Sequence, residues 1–262
     1  MFKKTLIALA LAAPLSAFAA LTTFSDVPMG GSKTIAFDQI QISGGNSQVI
    51  LTDANANGVV DAGDTFVENG LVAGFGFTDI NGDPINNSGL NEAGGYQLFA
   101  VFNPLAGMVT FAAPGFYQVG FGGVSSFTLY YDTDLTAGLQ MGTSTVIGQG
   151  TNGAGNCVVA QAINGGACVL GFDFDDAAVS KAGVFTSGGI DLGLLNAGLR
   201  VDMNVDRILP TFFSPTYDVV GGTQERFLDH NGSASFVVPE PSSLALLALG
   251  GLAGLIRRRK AV

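Results

Sequence analysis

Oxygen-bearing side chains recur at a regular spacing in one twelve-residue stretch, residues 53–64. Calcium loops take side-chain oxygens from positions 1, 3, 5, 9 and 12, a main-chain carbonyl from position 7, and a sharp turn from Gly at position 6. The residues at the ligand positions are Asp53, Asn55, Asn57, Val59, Asp61 and Asp64, and Gly58 stands at position 6. The spacing therefore predicts a Ca²⁺ loop.

Two features separate this stretch from helix-flanked calcium sensors. Position 12 is Asp64 rather than Glu, which shortens a bidentate ligand, and in this respect the stretch resembles the dockerin-type loop. The flanking residues 49–52 and 65–67 have the pattern of strands. We expect a structural Ca²⁺ site between two strands. The alternative is a solvated turn, rich in Asp and Asn, that binds no metal.

Catalytic residues are harder to find in this sequence. The single histidine, His230, lies among Asp229, Asn231 and Gly232, and its neighbours form no catalytic triad without a nucleophile delivered by the fold. We expect His230 in a turn before the last strand. Carboxylate pairs for glycoside hydrolysis exist in number, but no motif selects one of them. We therefore expect a non-enzymatic protein. The alternatives are a secreted polysaccharide-active enzyme with an unrecognised Asp/Glu pair and a small-ligand binding module.

The N-terminal residues 1–19 have the layout of a signal peptide. Lys3 and Lys4 precede an apolar stretch, and Ala17 and Ala19 supply the small side chains at a signal peptidase site. We expect cleavage before Ala20 and export of the remaining chain.

Export gives the two cysteines a structural interpretation. Cys157 and Cys168 are eleven residues apart, and in an oxidising compartment such a pair forms a disulfide. A redox or metal-binding pair is the alternative, but the pair lacks both CxxC spacing and a nearby histidine. We expect a disulfide that closes a short loop.

The C-terminal residues 238–262 combine a breaker, an apolar segment and a basic end. Residues 244–256 carry no charge and no polar face, so a helix here would have no side to turn to water. Thirteen helical residues measure about 20 Å, which is shorter than the roughly 30 Å hydrocarbon core of a membrane. The breaker is Pro239, Glu240 and Pro241, and the basic end contains Arg257, Arg258 and Arg259. The segment predicts a membrane-sorting signal; the alternative is a helix of the folded core.

This tail resembles the PEP-CTERM sorting signal of Gram-negative bacteria. The resemblance implies recognition by an exosortase, a transient stay in the inner membrane through the apolar helix, and delivery to the cell surface or extracellular matrix. It also implies association with exopolysaccharide. Residues 217–222 and 229–234 resemble a PEP-CTERM branch associated with flocculation, which implies a role in cell aggregation or biofilm.

The charge of the chain changes once both signals are set aside. Between residues 20 and 238 there are five basic and 20 acidic residues, a net charge of −15. Such a body repels phosphate backbones, so we expect no nucleic-acid partner.

The body, residues 20–237, has the pattern of an all-β domain. Gly is abundant and short alternating segments are separated by Gly, Asn and Asp. Leu199, Val201, Met203 and Val205 alternate with polar residues, which is typical of a half-buried antiparallel strand. We expect an antiparallel sandwich or jelly-roll-like domain, with turns at residues 44–46 and 81–82 and a loop at 148–155.

Overall fold

The computed structural model describes residues 21–102, 104–134, 143–161, 165–175, 181–208, 214 and 216–238. Leu21–Val237 form one compact unit. No helix in these ranges has the length and apolar character needed to cross a membrane. The strands are β1 Thr22–Ser25, β2 Thr34–Phe37, β3 Gln39–Thr52, β4 Thr65–Thr78, β5 Gln97–Phe102, β6 Leu105–Ala113, β7 Phe116–Asp132, β8 Thr145–Ala160, β9 Gly165–Asp175, β10 Phe185–Ser187, β11 Ile190–Asp191, β12 Gly198–Ile208 and β13 Thr223–Val237.

Most strands belong to one antiparallel sheet that closes on itself. Its order is β3, β13, β12, β9, β8, β7, β5 and β4, and β3 also pairs with β4. β5 and β6 together occupy one position in the sheet, because each of them pairs with β4 on one side and with β7 on the other. The eight positions therefore follow one another in chain order, with β10 and β11 set aside in the second sheet, and form an up-and-down barrel. The all-β antiparallel class is confirmed, and closure of one sheet takes the place of two facing sheets.

The alternation of side chains decides what fills the barrel. Leu199, Val201, Met203 and Val205 of β12 are buried, as their spacing predicts. Eight-stranded barrels have an interior just wide enough for side chains. Among the described residues, internal cavities of about 40 Å³ remain between these side chains. The interior is therefore a packed core.

Glycines of β8 make room for large rings inside the barrel. A Cβ on Gly148 would lie 2.6 Å from the Phe174 ring, and a Cβ on Gly150 would overlap the Phe127 ring. We expected a loop at residues 148–155, and this prediction is wrong, because the residues lie within β8. These glycines serve close packing rather than a turn.

A second sheet covers one end of the barrel. β1, β2, β10 and β11 form it, in the order β11, β10, β1, β2. Phe24 and Phe37 contact Phe77 at 5.4 and 4.8 Å between ring centroids, and Phe185 contacts Phe174 at 5.6 Å. We call this the aromatic end. β3 begins at this end and β13 ends here, where Phe37 contacts Phe236.

Two further turn predictions are wrong, because here too glycine lies inside a strand rather than in a turn. Residues 44–46 lie inside β3, where a Cβ on Gly45 would meet Val72 at 2.6 Å. His230 lies inside β13, which continues through a register shift between His230 and Gly232. Glycine in a strand interior commonly marks a bulge or a close approach of neighbouring backbone, and both occur here.

Candidate functional site

Residues 53–64, which we call the Asx loop, connect β3 to β4 at the end of the barrel opposite the aromatic end. Ala56 and Gly58 have φ angles of 57° and 76°, so the chain turns sharply between the strands. Val59 forms a bridge with Thr216, and the Tyr217 N–H donates to the Gly58 carbonyl at 3.0 Å. The Asx loop is therefore held by the described part of the segment before β13.

The first and last aspartates of the Asx loop are its buried anchors. Asp53 is 4% exposed and Asp64 is fully buried. The Asp53 carboxylate accepts N–H bonds from Asn57 at 3.2 Å, from Gly58 at 2.8 Å and from Gly221 at 2.8 Å. The side chains at both ends of the loop therefore face the protein, whereas residues 54–57 are exposed.

Asp64 ties the end of the loop to its beginning. Its carboxylate accepts the N–H groups of Ala54 at 3.0 Å and Asp61 at 3.1 Å, and the Tyr217 hydroxyl at 2.8 Å. Positions 1 and 12 of the calcium spacing are thus brought to the same side of the loop.

The remaining oxygen-bearing side chains stand at the exposed tip. The Asn55 Oδ1 atom accepts the Asn57 N–H at 3.0 Å, and the Asn57 Oδ1 atom accepts the Val59 N–H at 2.8 Å. Both side-chain amide groups donate to the Asp61 carboxylate, at 3.0 Å from Asn55 and at 2.6 Å from Asn57. The five side chains of the predicted site are therefore linked in one hydrogen-bonded network, in which the backbone N–H groups of Asn57 and Asp61 connect the two end aspartates to the tip.

Two ionisable groups of this network have altered pKa values. Burial would raise the pKa of Asp53, but the N–H groups of Gly221, Gly58, Asn57 and Ala56 stabilise the anion, and the pKa is lowered. Burial raises the pKa of Tyr217, and its hydrogen bond to Asp64 and the charge of that carboxylate raise it further. Asp53 therefore stays anionic while Tyr217 stays a hydrogen-bond donor.

The candidate ligand atoms of the Asx loop are of the chemical type that a hard cation prefers. Every side-chain donor is a carboxylate or amide oxygen, as Ca²⁺ prefers. Asp53 Oδ1 and Asp64 Oδ1 each accept one N–H and retain a second lone pair for a ligand, whereas the Oδ2 atoms of both residues already accept two hydrogen bonds. Within the described ranges, however, no three residues among His, Cys, Asp and Glu are grouped to hold a metal. Coordination would thus depend on the Asn side chains and a main-chain carbonyl as well as on carboxylates.

A second polar cluster lies inside the barrel, where Glu68 and Ser47 meet His230. The His230 Nε2 atom lies 2.8 Å from Glu68 Oε1 and 2.7 Å from Ser47 Oγ. The three residues are 3–4% exposed. A catalytic triad places its serine and its acid on different ring nitrogens, whereas both partners here approach the same one. The cluster is buried structure rather than an assembled nucleophile.

A signal for this cluster was present in the sequence. Glu68 stands two residues after the buried Phe66, and His230 stands two residues after the buried Leu228. Each polar residue thus occupies an inward position of its strand, in phase with an apolar neighbour. Arg226 follows the same rule, and its guanidinium lies 5.5 Å from the centre of the Tyr117 ring.

Cys157 and Cys168 form a disulfide, as predicted. They are directly opposite each other on β8 and β9, and both are buried. The bond therefore links two adjacent barrel strands.

The predicted sorting residues Pro239, Glu240, Pro241, Arg257, Arg258 and Arg259 lie outside the described residues, as does the predicted signal peptide. The comparison with protein-family models addresses the tail directly. Residues 237–260 match the PEP-CTERM protein-sorting motif. The chain carries a PEP-CTERM sorting signal. It is accordingly an exported protein of a Gram-negative bacterium, directed to the cell surface and processed by exosortase. The comparisons with curated proteins and with solved structures found no match.

Proposed function

We propose that this PEP-CTERM protein is a non-enzymatic component of the cell surface or extracellular matrix. In this role it associates with exopolysaccharide and supports cell aggregation, flocculation or biofilm formation. The observation that carries the proposal is the sorting motif at residues 237–260 joined to a compact barrel. The motif provides delivery to the surface, and the barrel provides a rigid body.

The packing of the barrel favours a role for its outer surface. The interior is occupied by side chains, and the cavities found among the described residues there, of about 40 Å³, are too small for a sugar ring. The Glu68 and His230 side chains, which carry acid–base groups, are buried in this interior. A partner as large as a polysaccharide would therefore meet outward-facing side chains.

The maturation steps of this proposal follow from the two signals. Signal peptidase removes residues 1–19, and the apolar segment 244–256 holds the chain transiently at the inner membrane. Exosortase then acts on the tail at Pro239, Glu240 and Pro241.

A bound Ca²⁺ ion is a further part of the proposal. Asp53, Asn55, Asn57, Asp61 and Asp64 would supply side-chain oxygens, and Val59 would supply its carbonyl. Support comes from the buried, anionic Asp53 and from the contacts of Asp64 with Ala54 and Tyr217. The ion would brace the loop against the segment before β13, which is a structural task.

Deletion of the gene tests the proposed function. We expect the deletion strain to aggregate less and to retain less polysaccharide at the cell surface, with recovery upon complementation. In parallel, the purified protein is incubated with the isolated exopolysaccharide, and polymer length is followed by size-exclusion chromatography. Unchanged aggregation in the deletion strain, together with polymer shortened by the protein, would replace this proposal with the secreted-enzyme alternative.

A further inference from the structure

A polar groove crosses the outside of the barrel where β3, β13, β12 and β9 run side by side. The strand register places outward-facing residues in two rows across these strands. The first row contains Gln41, Ser233, Asp202 and Val169, and the second contains Ser43, Asn231, Asn204 and Ala167. The space above them measures about 660 Å³. We call it the Asn204–Asn231 groove.

A bulge in β13 shapes the groove. The pairing of β13 with β3 shifts register between His230 and Gly232. Gly232 has a φ of 153°, and a Cβ at this position would overlap the Asp202 carbonyl oxygen. The backbones of β13 and β12 thus approach closely along the floor of the groove, and bulges of this kind often redirect side chains at functional sites.

Three side chains of the groove, those of Asn204, Asn231 and Asp202, are hydrogen-bonded before any ligand arrives. The Asn204 amide donates to the Asn231 Oδ1 atom at 3.2 Å. Arg200 donates to both Asp202 oxygens, at 2.8 and 2.9 Å, and so neutralises that carboxylate beside the groove. Such preorganisation lowers the cost of ordering side chains upon binding.

The chemistry of the lining selects among classes of ligand. Amides, hydroxyls and one paired carboxylate offer both donors and acceptors, which suits a ligand rich in hydroxyl groups. Among the described residues that line the groove there is no Lys or Arg to receive an anion. Val169, which is 46% exposed at one edge, can pack against the C–H face of a sugar ring.

We propose that the Asn204–Asn231 groove binds a neutral polysaccharide chain. Four strands at a spacing of about 4.8 Å span roughly 15 Å, enough for a short run of sugar units. The inference rests on the proposed function, because it locates the surface through which the protein associates with exopolysaccharide. Binding by hydrogen bonds to uncharged hydroxyls is insensitive to high salt and needs no divalent cation.

The experiment measures retention of the exported, processed protein on immobilised exopolysaccharide from the producing strain. The polymer is first separated by anion exchange into neutral and acidic fractions, and binding is measured in high salt with EDTA. The groove variant carries Asn204→Ala and Asn231→Ala. The matched control carries Gln118→Ala and Asn156→Ala, two exposed amides on β7 and β8. Thermal melts establish that both variants remain folded.

We expect the wild-type protein and the control to bind the neutral fraction equally, and the groove variant to lose affinity about tenfold or more. If the groove variant binds as the wild type does, or if only the acidic fraction is bound, the groove assignment is wrong while the surface function stands. If the wild-type protein binds neither fraction in high salt with EDTA, the groove assignment fails. Polysaccharide association itself fails only if the protein also binds neither fraction in low salt with Ca²⁺.

Discussion

Several polar residues of this barrel belong to its core rather than to its surface. Glu68, His230 and Arg226 occupy inward positions of β4 and β13, although the sequence around His230 has the composition of a turn. Composition misled the prediction because Asn231 and Gly232 form a bulge within a long strand. The two-residue spacing from a buried apolar neighbour indicates the inward position of these polar residues more reliably than the local composition does.

Removal of Glu68 should destabilise the barrel strongly. Glu68→Ala leaves the His230 Nε2 atom with one fewer buried partner and opens a cavity, so we expect a loss of about 2 to 4 kcal/mol in the free energy of unfolding. Chemical denaturation measures the effect. Glu225→Ala, at an exposed position of β13, should change stability by less than about 0.5 kcal/mol. Equal effects of the two substitutions would refute the role of the buried cluster.

The Asx loop makes a prediction about calcium. Addition of Ca²⁺ at about 100 times its Kd should stabilise the wild-type protein by about 2.7 kcal/mol, because the ion binds the folded state. The double variant Asp53→Ala with Asp61→Ala should show no such gain, whereas Asp79→Ala, in a different turn, should retain it. Thermal melts with Ca²⁺ and with EDTA provide the measurement, and calorimetry provides the stoichiometry. A wild-type protein that releases no heat and gains no stability would show that the loop needs no metal.

A separate turn provides a pH-dependent contribution to stability. The Asp79 carboxylate accepts N–H bonds from Asn81 at 2.8 Å and Asp83 at 2.9 Å, as expected for the Asn81–Gly82 turn. The Asp83 N–H bond is the largest of several influences that lower the pKa of Asp79. The folded-state pKa is thus below the unfolded value, so this stabilisation is present above the unfolded pKa and is lost as the pH falls through the folded pKa.

Asp79→Asn should therefore flatten the dependence of stability on pH in the acidic range, below about pH 4. Urea denaturation at a series of pH values, with EDTA present, measures the slope. Asp83→Asn, an exposed carboxylate in the same turn, serves as the control and should leave the slope closer to that of the wild type. If Asp79→Asn leaves the slope of unfolding free energy against pH unchanged, Asp79 is not the source of this pH-dependent stability.

At the scale of strands, glycine has two structural roles, in turns and beside large rings within strands, and the sequence alone does not distinguish them. Gly82 has a φ of 83° in a turn, as predicted, whereas Gly148, Gly150 and Gly153 lie in β8 opposite large rings. Which role applies depends on side chains from strands distant in the chain. The alternation in β12 needed no such information, and its prediction is confirmed.

The fit between β8 and its neighbours predicts a contrast between two glycine substitutions. Gly150→Ala places a Cβ against Phe127, whose ring is fixed by an edge contact with Phe172 at 5.0 Å between centroids. We expect a loss of about 1 to 3 kcal/mol from overpacking. Gly171→Ala on β9 is the control, because its Cβ would lie 3.9 Å from the nearest atom and should be tolerated. Similar melting temperatures for the two variants would mean that β8 has no such steric limit.

At the scale of the whole molecule, the class of fold was predictable and its closure was not. Alternating inward and outward residues are shared by sandwiches and barrels, so the pattern indicates antiparallel strands in either case. Closure depends on the pairing of β3 with β13, near opposite ends of the body, and no local pattern reports it. The disulfide was easier to predict than the closure of the sheet, because export of the protein and the short separation of the two cysteines were sufficient to indicate it.

The sorting tail and the Asn204–Asn231 groove also differ in how far the sequence alone predicts them. The tail has a linear signal that is visible in sequence and is matched by a family model. The Asn204–Asn231 groove is assembled from four strands, and its residues have no recognisable spacing along the chain. Delivery was therefore predictable, whereas the surface that would meet a partner required the three-dimensional structure.

Sorting by the tail is the central claim, and surface delivery of a tail variant tests it most directly. Protease accessibility on intact cells and fractionation would compare the wild type with Pro239→Ala, Glu240→Ala and Pro241→Ala combined, and with the control Ser242→Ala and Ser243→Ala. The account predicts that the wild type and the serine variant reach the surface, while the triple variant remains with the inner membrane. A triple variant that reaches the surface as efficiently as the wild type would contradict it.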